Sequence, residues 1–211
     1  MIISISGRIS SGKDTTAEII NTLLTTNGKT PFENKKFAGK LKTIASILTG
    51  IPVENFEDQE FKKNLLDTEW GTVQNVPLNL ITPFADIEFS TLMTVRGFLQ
   101  KLGTEAMRDG LHKNVWCNAL FADYRSPKMS EYNPSNWIIT DTRFPNELKA
   151  IKDRGGITIV VKRPETDHLS GNHTSETALD SLAFDETIVN DGSLENLIKK
   201  VEEVLSRRGI I

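Results

Sequence analysis

The sequence has a single cysteine, Cys117, so no intrachain disulfide can form, and this cysteine usage fits a reducing compartment. It has no apolar run of the roughly 20 residues that a membrane helix needs. The opening stretch, MIISISGRISSGKD, turns polar after Ile5, which fits neither a signal peptide nor a membrane span. A cytoplasmic protein is therefore expected, with no membrane partner. An excess of basic charge is missing too: 25 Lys and Arg stand against 28 Asp and Glu, for a net charge of −3 and a pI near 5.7. Coating of a nucleic-acid polymer rests on phosphate neutralisation by a basic surface, so no such partner is expected. A local basic pocket for a small anion remains open. The three histidines, His112, His168 and His173, share no metal-ligand spacing with Cys117, so no zinc site is expected. What is present is a globular composition, 38% hydrophobic with 14 glycines, enough to bury a core in one domain or one domain with an insert.

Short apolar runs alternate with helical patterns along the chain. Met1 to Ser6 reads as a buried parallel strand ending at Gly7. Lys13 to Thr26 reads as a helix, with Ala17, Ile20 and Leu24 on one face and Gly28 as the stop. A strand is expected around Lys35 to Ala38, then a helix over Leu41 to Leu48, and a polar helix over Asp58 to Leu66. Val95, Phe98, Leu99, Leu102 and Ala106 recur at helical spacing, and a further helix is expected over Val115 to Tyr124. Strands are expected at Trp137 to Thr140, Ile157 to Val161 and Thr187 to Val189. Helices follow Pro145 and Ser193. This alternation predicts an α/β fold: a parallel sheet of about five strands with helices on both faces. Long irregular stretches, 53–88 and 164–176, read as pocket-shaping or lid-like segments.

The strongest motif is Gly7-Arg8-Ile9-Ser10-Ser11-Gly12-Lys13, a G-x-x-x-x-G-K between a strand and a helix. Glycines let the backbone curl so that peptide N–H groups point inward, the helix N-terminus favours an anion, and Lys13 adds a full charge. One feature departs from the common loop. Asp14 stands where a Ser or Thr usually ligates Mg²⁺, followed by Thr15 as a contact for the α-phosphate. Asp14 reads either as a carboxylate ligand of Mg²⁺ or as an acid favoured in a helix's first turn.

Asp141 ends an apolar strand at the edge where open parallel sheets bind ligands. It reads as a Mg²⁺ partner or as a turn or cap residue, with Arg143 two residues on as a contact for a moving phosphoryl group. Arg96, Gln100 and Gly103 fall on one helical stripe, with Arg108 beyond. That stripe reads equally as a phosphate-binding face or a solvated one. His173 and Glu176 read on spacing as loop and cap residues, and Cys117 as buried.

Taken in order, GRISSGKDTT (7–16), FAGKLK (37–42), RGFLQKLGTEAMR (96–108), Trp116, ITDTRFPNE (139–147) and HTSE (173–176) resemble the deoxynucleoside monophosphate kinases of tailed bacteriophages. The Lys13-Asp14-Thr15 variant belongs to that resemblance, whereas Gly39 stands where its second motif has an acid. The resemblance implies a three-layer P-loop nucleoside-monophosphate-kinase fold in one domain over 1–211, with a substrate-binding insert at about 39–126 and a lid at about 164–176. It implies ATP- and Mg²⁺-dependent phosphoryl transfer to a deoxynucleoside 5′-monophosphate, in a host cytoplasm if phage-encoded, and allows a homodimer. By matching position, Gly7, Arg8, Ser10, Ser11, Gly12, Lys13, Asp14 and Thr15 would bind ATP, with Asn190 near the adenine. Phe37, Lys42, Arg96, Gln100, Arg108 and Trp116 would line the monophosphate pocket, with Glu176 in the closing segment. Lys13, Arg108, Asp141 and Arg143 would serve the reaction, and Asp14 and Asp141 the metal. The loop alone is shared with other small-molecule kinases, of the phosphomevalonate or dephospho-coenzyme-A type, and with non-catalytic nucleotide switches.

Overall fold

The computed structural model describes residues 1–70, 72–73, 91–126, 134–164 and 182–211. The chain divides into two compact units, one of residues 1–39 and 116–211, the other of residues 40–115.

The first unit is built on a five-stranded parallel sheet. In chain order its strands are β1 (Ile2–Ser6), β2 (Glu33–Lys35), β5 (Trp137–Ile139), β6 (Ile157–Lys162) and β7 (Glu186–Val189). They lie side by side as β2-β5-β1-β6-β7, with all four pairings parallel. Central strand β1 pairs Ser4 with Ile139 on one side and with Thr158 on the other. All five of its residues are buried.

Alternation along β1 sends its side chains into two cores. Ile3 and Ile5 pack in one cluster with Ala17, Ile20 and Leu24 of α1 (Lys13–Thr26) and with Leu197, Val201 and Leu205 of the terminal helix α6 (Leu194–Arg207). Ile2 packs on the other face with Cys117, Leu120 and Phe121 of α4 (Val115–Phe121) and Ile151 of α5 (Pro145–Lys152). Helices therefore cover both faces of the sheet. The ring of Phe121 stacks near-parallel to Trp137 at 6.1 Å, and Tyr124 meets Trp137 edge-on at 5.0 Å. Cys117 is buried, as expected.

The outer strands are tied by polar pairs. Asp185 accepts hydrogen bonds from the Thr158 N–H (2.8 Å) and hydroxyl (2.7 Å). Glu186 accepts from Arg207 and Arg208, both at 2.6 Å. Burial pushes both carboxyls up. The Thr158 bonds with Lys152 and Arg208, and the two arginines at Glu186, outweigh it and hold both below their ordinary values.

The second unit has its own core of Ala45, Phe56, Leu66, Met93, Val95 and Phe98. It contains most of helix α2 (Phe37–Thr49), 3-10 turns at Val53–Phe56, Phe61–Lys63 and Thr68–Trp70, and the short antiparallel pair β3 (Thr72–Val73) and β4 (Thr91–Leu92). It also holds α3 (Val95–Gln100) and a π-helix over Lys101–Asp109.

Three local expectations change. Strand β2 ends at Lys35 and α2 begins at Phe37, where a strand was expected to Ala38, because a distant carboxylate takes the helix's first N–H groups. Where a polar helix was expected over Asp58 to Leu66, the chain makes a 3-10 turn and then pairs at long range. The Leu66 N–H donates to the Met93 carbonyl (2.8 Å), and the Val95 N–H to the Asn64 carbonyl (2.9 Å). Backbone groups paired that way are not available to an α-helix. The 95–106 helix changes pitch after Gln100. Its wider π-turn leaves Ala106 exposed and buries Gly103, where a Cβ would come 2.9 Å from Leu41.

Ile5→Ala should cost about 2–5 kcal/mol, since Ile5 is fully buried under two helices. Urea unfolding at neutral pH checks it through a lowered midpoint. Because the folded values of Asp185 and Glu186 are depressed, their contribution is full above the ordinary carboxylate range. It is lost as the pH falls through it. Asp185→Asn should flatten that acid-side loss in thermal melts taken across the range.

Candidate active site

A parallel sheet brings every strand's C-terminal end to one edge. Here the loops after β1, β5 and β6 meet around a cavity of about 490 Å³ formed by the first unit. Gly7, Arg8, Ile9 and Lys13 line it from the first loop, Thr140, Asp141, Thr142 and Arg143 from the second. Lys162, Arg163, Phe184 and Thr187 close the β6–β7 side.

The first loop is held in a tight curl. Gly7 has φ +152°, and a Cβ there would fall 2.4 Å from the Val161 carbonyl oxygen. Gly12 has φ +98°, and a Cβ there would fall 2.7 Å from the Asn190 amide nitrogen. Ser10 is left-handed as well, at φ 61°. Hydrogen bonds hold three of the loop's carbonyls. The Arg8 carbonyl accepts from the Ser11 N–H (3.2 Å) and from the Lys13 ammonium (2.7 Å). The Gly12 carbonyl accepts from the Thr16 N–H and hydroxyl, both at 2.8 Å. The Ser11 carbonyl accepts from the Asn190 side-chain amide at 3.0 Å. A backbone wound this way, opening into a 14-residue helix, has the form that suits an anion.

Asp141 is the acid on the cavity wall, and its oxygens also start a helix. One accepts from the Phe37 N–H at 2.8 Å, the other from the Ala38 N–H at 3.0 Å. Burial pushes its carboxyl above the ordinary aspartate value, against the two N–H groups and the charges of Arg143 and Lys36. Arg143 is exposed on the same wall. Its backbone N–H and that of Phe144 are both accepted by the buried Glu147 carboxylate, at 2.8 and 3.1 Å, which fixes the turn that carries it.

The other residues singled out in the sequence lie as follows. Asp14 and Thr15 are exposed on the first turn of α1 and are not among the residues lining the cavity. Asn190 braces the loop through Ser11. Phe37 is a core residue, its ring edge-on to Phe121 at 6.0 Å, and Trp116 is buried in α4. Lys42, Arg96, Gln100 and Arg108 belong to the second unit. There Lys42 is buried and paired with Glu57 at 2.5 Å, and exposed Arg96 donates to Gln59 at 3.0 Å. Gln100 is exposed and Arg108 half-buried, on α3 and the π-helix. Glu176, His173 and the 164–176 segment beyond residue 164 lie outside the described residues. The sequence reading passed over Ser6, Thr140 and Thr142, although ending a strand at a ligand-binding edge is a signal for each of them. It also passed over the brace role of Asn190, which no local pattern carries.

The model of the deoxynucleotide monophosphate kinase family matches residues 56–201. The chain belongs to that family. It is thus a kinase, which separates it from nucleotide-dependent switches that share the loop. The family match covers the second unit from residue 56, including α3 and the π-helix, as well as the Asp141 turn, and does not include α2. A protein of Acanthamoeba polyphaga mimivirus named "Putative deoxynucleotide monophosphate kinase" is 29% identical over 210 residues, covering 95% of this chain and 94% of its own. The deoxynucleotide monophosphate kinase of Enterobacteria phage T4 is 32% identical over 112 residues, 53% of this chain and 45% of its own. The deoxynucleoside-5'-monophosphate kinase of Escherichia phage T5 is 22% identical over 231 residues, 90% of this chain and 89% of its own. A solved shikimate kinase from Aquifex aeolicus aligns with a TM-score of 0.44 at 12% identity, over 100% of this chain and 99% of that one. Among the described residues no helix is long and apolar enough to cross a membrane.

Asp141→Asn keeps the shape but only one carbonyl acceptor for two N–H donors, so it should cost about 1 kcal/mol, the usual worth of a helix cap. Because the folded value of Asp141 is raised, its effect on stability is best below the ordinary aspartate range and is lost as the pH rises through the raised value. Melts of the Asn variant should lack that fall; an unchanged pH profile would remove Asp141 from the buried position assigned to it.

Proposed function

We propose that this kinase transfers the γ-phosphoryl group of ATP to a deoxynucleoside 5′-monophosphate, giving the diphosphate. The observation that carries the reading is the glycine-pinned loop, with Lys13 at its mouth, opening on a cavity walled by Asp141 and Arg143. The family and the names of its phage and mimivirus relatives supply the acceptor class.

Phosphoryl transfer asks little covalent chemistry of a protein, so the work is positioning and charge stabilisation. The curled loop would hold the β- and γ-phosphates by backbone N–H groups. Lys13 would exchange the Arg8 carbonyl for a phosphate oxygen, a stronger charge-assisted partner. Arg143 would balance charge on the moving group. Arg96, Gln100 and Arg108 supply two guanidinium forks and an amide for the acceptor's phosphate and base edge. Lys42 reaches that task only by leaving or sharing Glu57. The site fits Mg²⁺ of the triphosphate complex, since this ion takes one or two carboxylates and keeps several waters. Each Asp141 oxygen holds one N–H bond and retains a lone pair, so Asp141 would hold the ion, directly or through water, while Asp14 would act from the helix's first turn. Bound there, Mg²⁺ would supply neutralisation of phosphate charge.

The deciding measurement is ADP release from ATP and Mg²⁺ with each of the four deoxynucleoside monophosphates, with ribonucleotides and dephospho-coenzyme A as comparison acceptors. Release should depend on a deoxynucleotide. Its absence from a folded, ATP-binding protein would overturn the activity, and release only with dephospho-coenzyme A would replace the acceptor. Lys13→Ala should lower turnover by roughly 10²–10³-fold with an unchanged melting temperature. Arg108→Ala should raise the KM for the monophosphate about tenfold or more, the worth of a charged hydrogen bond, with kcat little affected.

A further inference from the structure

Buried hydroxyls in the first unit are mostly bonded. Ser4 Oγ lies 2.9 Å from Thr142 Oγ1, Thr16 donates to the Gly12 carbonyl, and Thr158 donates to Asp185. Among the described residues two are not: the Oγ atoms of Ser6 and Ser11 are enclosed and have no hydrogen-bond partner. Leaving a buried hydroxyl unpaired costs folding free energy, and such a group calls for a reason. Ser11 lies within the loop's own curl, against the position a Cβ on Gly7 would take. Ser6 differs. It is the last residue of central strand β1, only 1% exposed, and it lines the cavity shared with Lys13, Asp141 and Arg143.

A second observation points the same way. The hydroxyl that commonly follows the loop lysine is missing, because position 14 is an aspartate, exposed on α1 and not among the lining residues. A hydroxyl is therefore absent from its usual place, while an unbonded one belongs to a residue that lines the same cavity. We propose that Ser6 is a binding group of the phosphate site, supplying to the Mg²⁺–triphosphate complex the hydroxyl that position 14 lacks. The inference rests on the nucleotide reading above. A neutral hydroxyl suits this place: it offers an oxygen lone pair to the cation or donates to a metal-bound water, and adds no negative charge beside Asp141. Its unpaired state is then the cost of keeping a site ready for its ligand.

The proposal makes a prediction that a structural role would not. Removing an unpaired buried hydroxyl should leave the ligand-free protein as stable as before or more so, while weakening the metal complex. Thermal melts of the full chain would be recorded alone, with ATP and EDTA, and with ATP and Mg²⁺, for wild type, Ser6→Ala and Ser6→Cys. The thiol of the second variant has the serine's shape but is a poor ligand for a hard cation. Both variants should keep the ligand-free melting temperature and the shift given by ATP with EDTA. The added shift due to Mg²⁺ should shrink, matching a Kd for Mg²⁺–ATP raised about tenfold in titration calorimetry. A Mg²⁺-dependent shift equal to wild type would overturn the assignment while leaving the nucleotide reading intact. So would a ligand-free melting temperature lowered by several degrees in both variants, which would make the hydroxyl structural. Absence of any ATP shift in the wild type would overturn the nucleotide reading itself.

Discussion

The position of β1 governs this molecule. It has a parallel neighbour on each side and a hydrophobic core on each face, so its register and direction are fixed four ways. Whatever follows Ser6 must leave the sheet at its C-terminal edge, at the centre, between β5 and β6. The chain puts its most constrained backbone there. Gly7 has the Val161 carbonyl of β6 against it, and Gly12 has Asn190, just past β7, against it. The glycine-bounded loop is thus pressed from two segments that lie far away in sequence, and its curl is a property of the sheet as much as of its glycines.

Charge at the site is arranged with similar economy. Lys13 is held near the loop by the Arg8 carbonyl, and Asp141 is spread over two backbone N–H groups at the start of α2. A buried carboxylate with no partner would protonate. Two donated N–H bonds and the nearby charges of Arg143 and Lys36 offset that burial in part for the acid on the cavity wall. The same bonds decide where a helix begins, so a residue suited to ion binding is also structural. Glu147 does comparable work one turn later, where its buried carboxylate shapes the turn that presents Arg143.

The second unit follows a different logic. Its core is small, and much of its backbone is paired through turns and a two-residue ladder. Its helical stretch widens into a π-helix over nine residues, a rare geometry whose shorter, single-turn form is frequent at functional sites. Arg108 lies on that segment, while Arg96 and Gln100 lie on the regular turn before it, so these side chains do not share the simple stripe that α-helical spacing gives. This is also the region where the family match begins, at residue 56, well past the phosphate loop.

The sequence by itself determined the alternation of strands and helices, the parallel sheet and the glycine-bounded loop between β1 and α1. These rest on local patterns: apolar runs of strand length, helical periodicity, and glycines at the ends of a G-x-x-x-x-G-K. It also placed Asp141 and Arg143 at the right edge, because a strand's end is readable from where its apolar run stops. The tertiary structure alone decided what contacts across long sequence distances decide. Asp141 starts α2 from 104 residues away and so turns an expected strand into a helix. Asn64 and Leu66 pair with Val95 and Met93, which excludes the helix that local polarity suggested. Phe37 and Trp116 are buried, where their apolar area stabilises the core. Asn190, placed near a base by resemblance, reaches across 179 residues to hold the Ser11 carbonyl. Backbone hydrogen bonds are strong and nearly obligatory, so wherever a distant group satisfies them first, the local pattern yields.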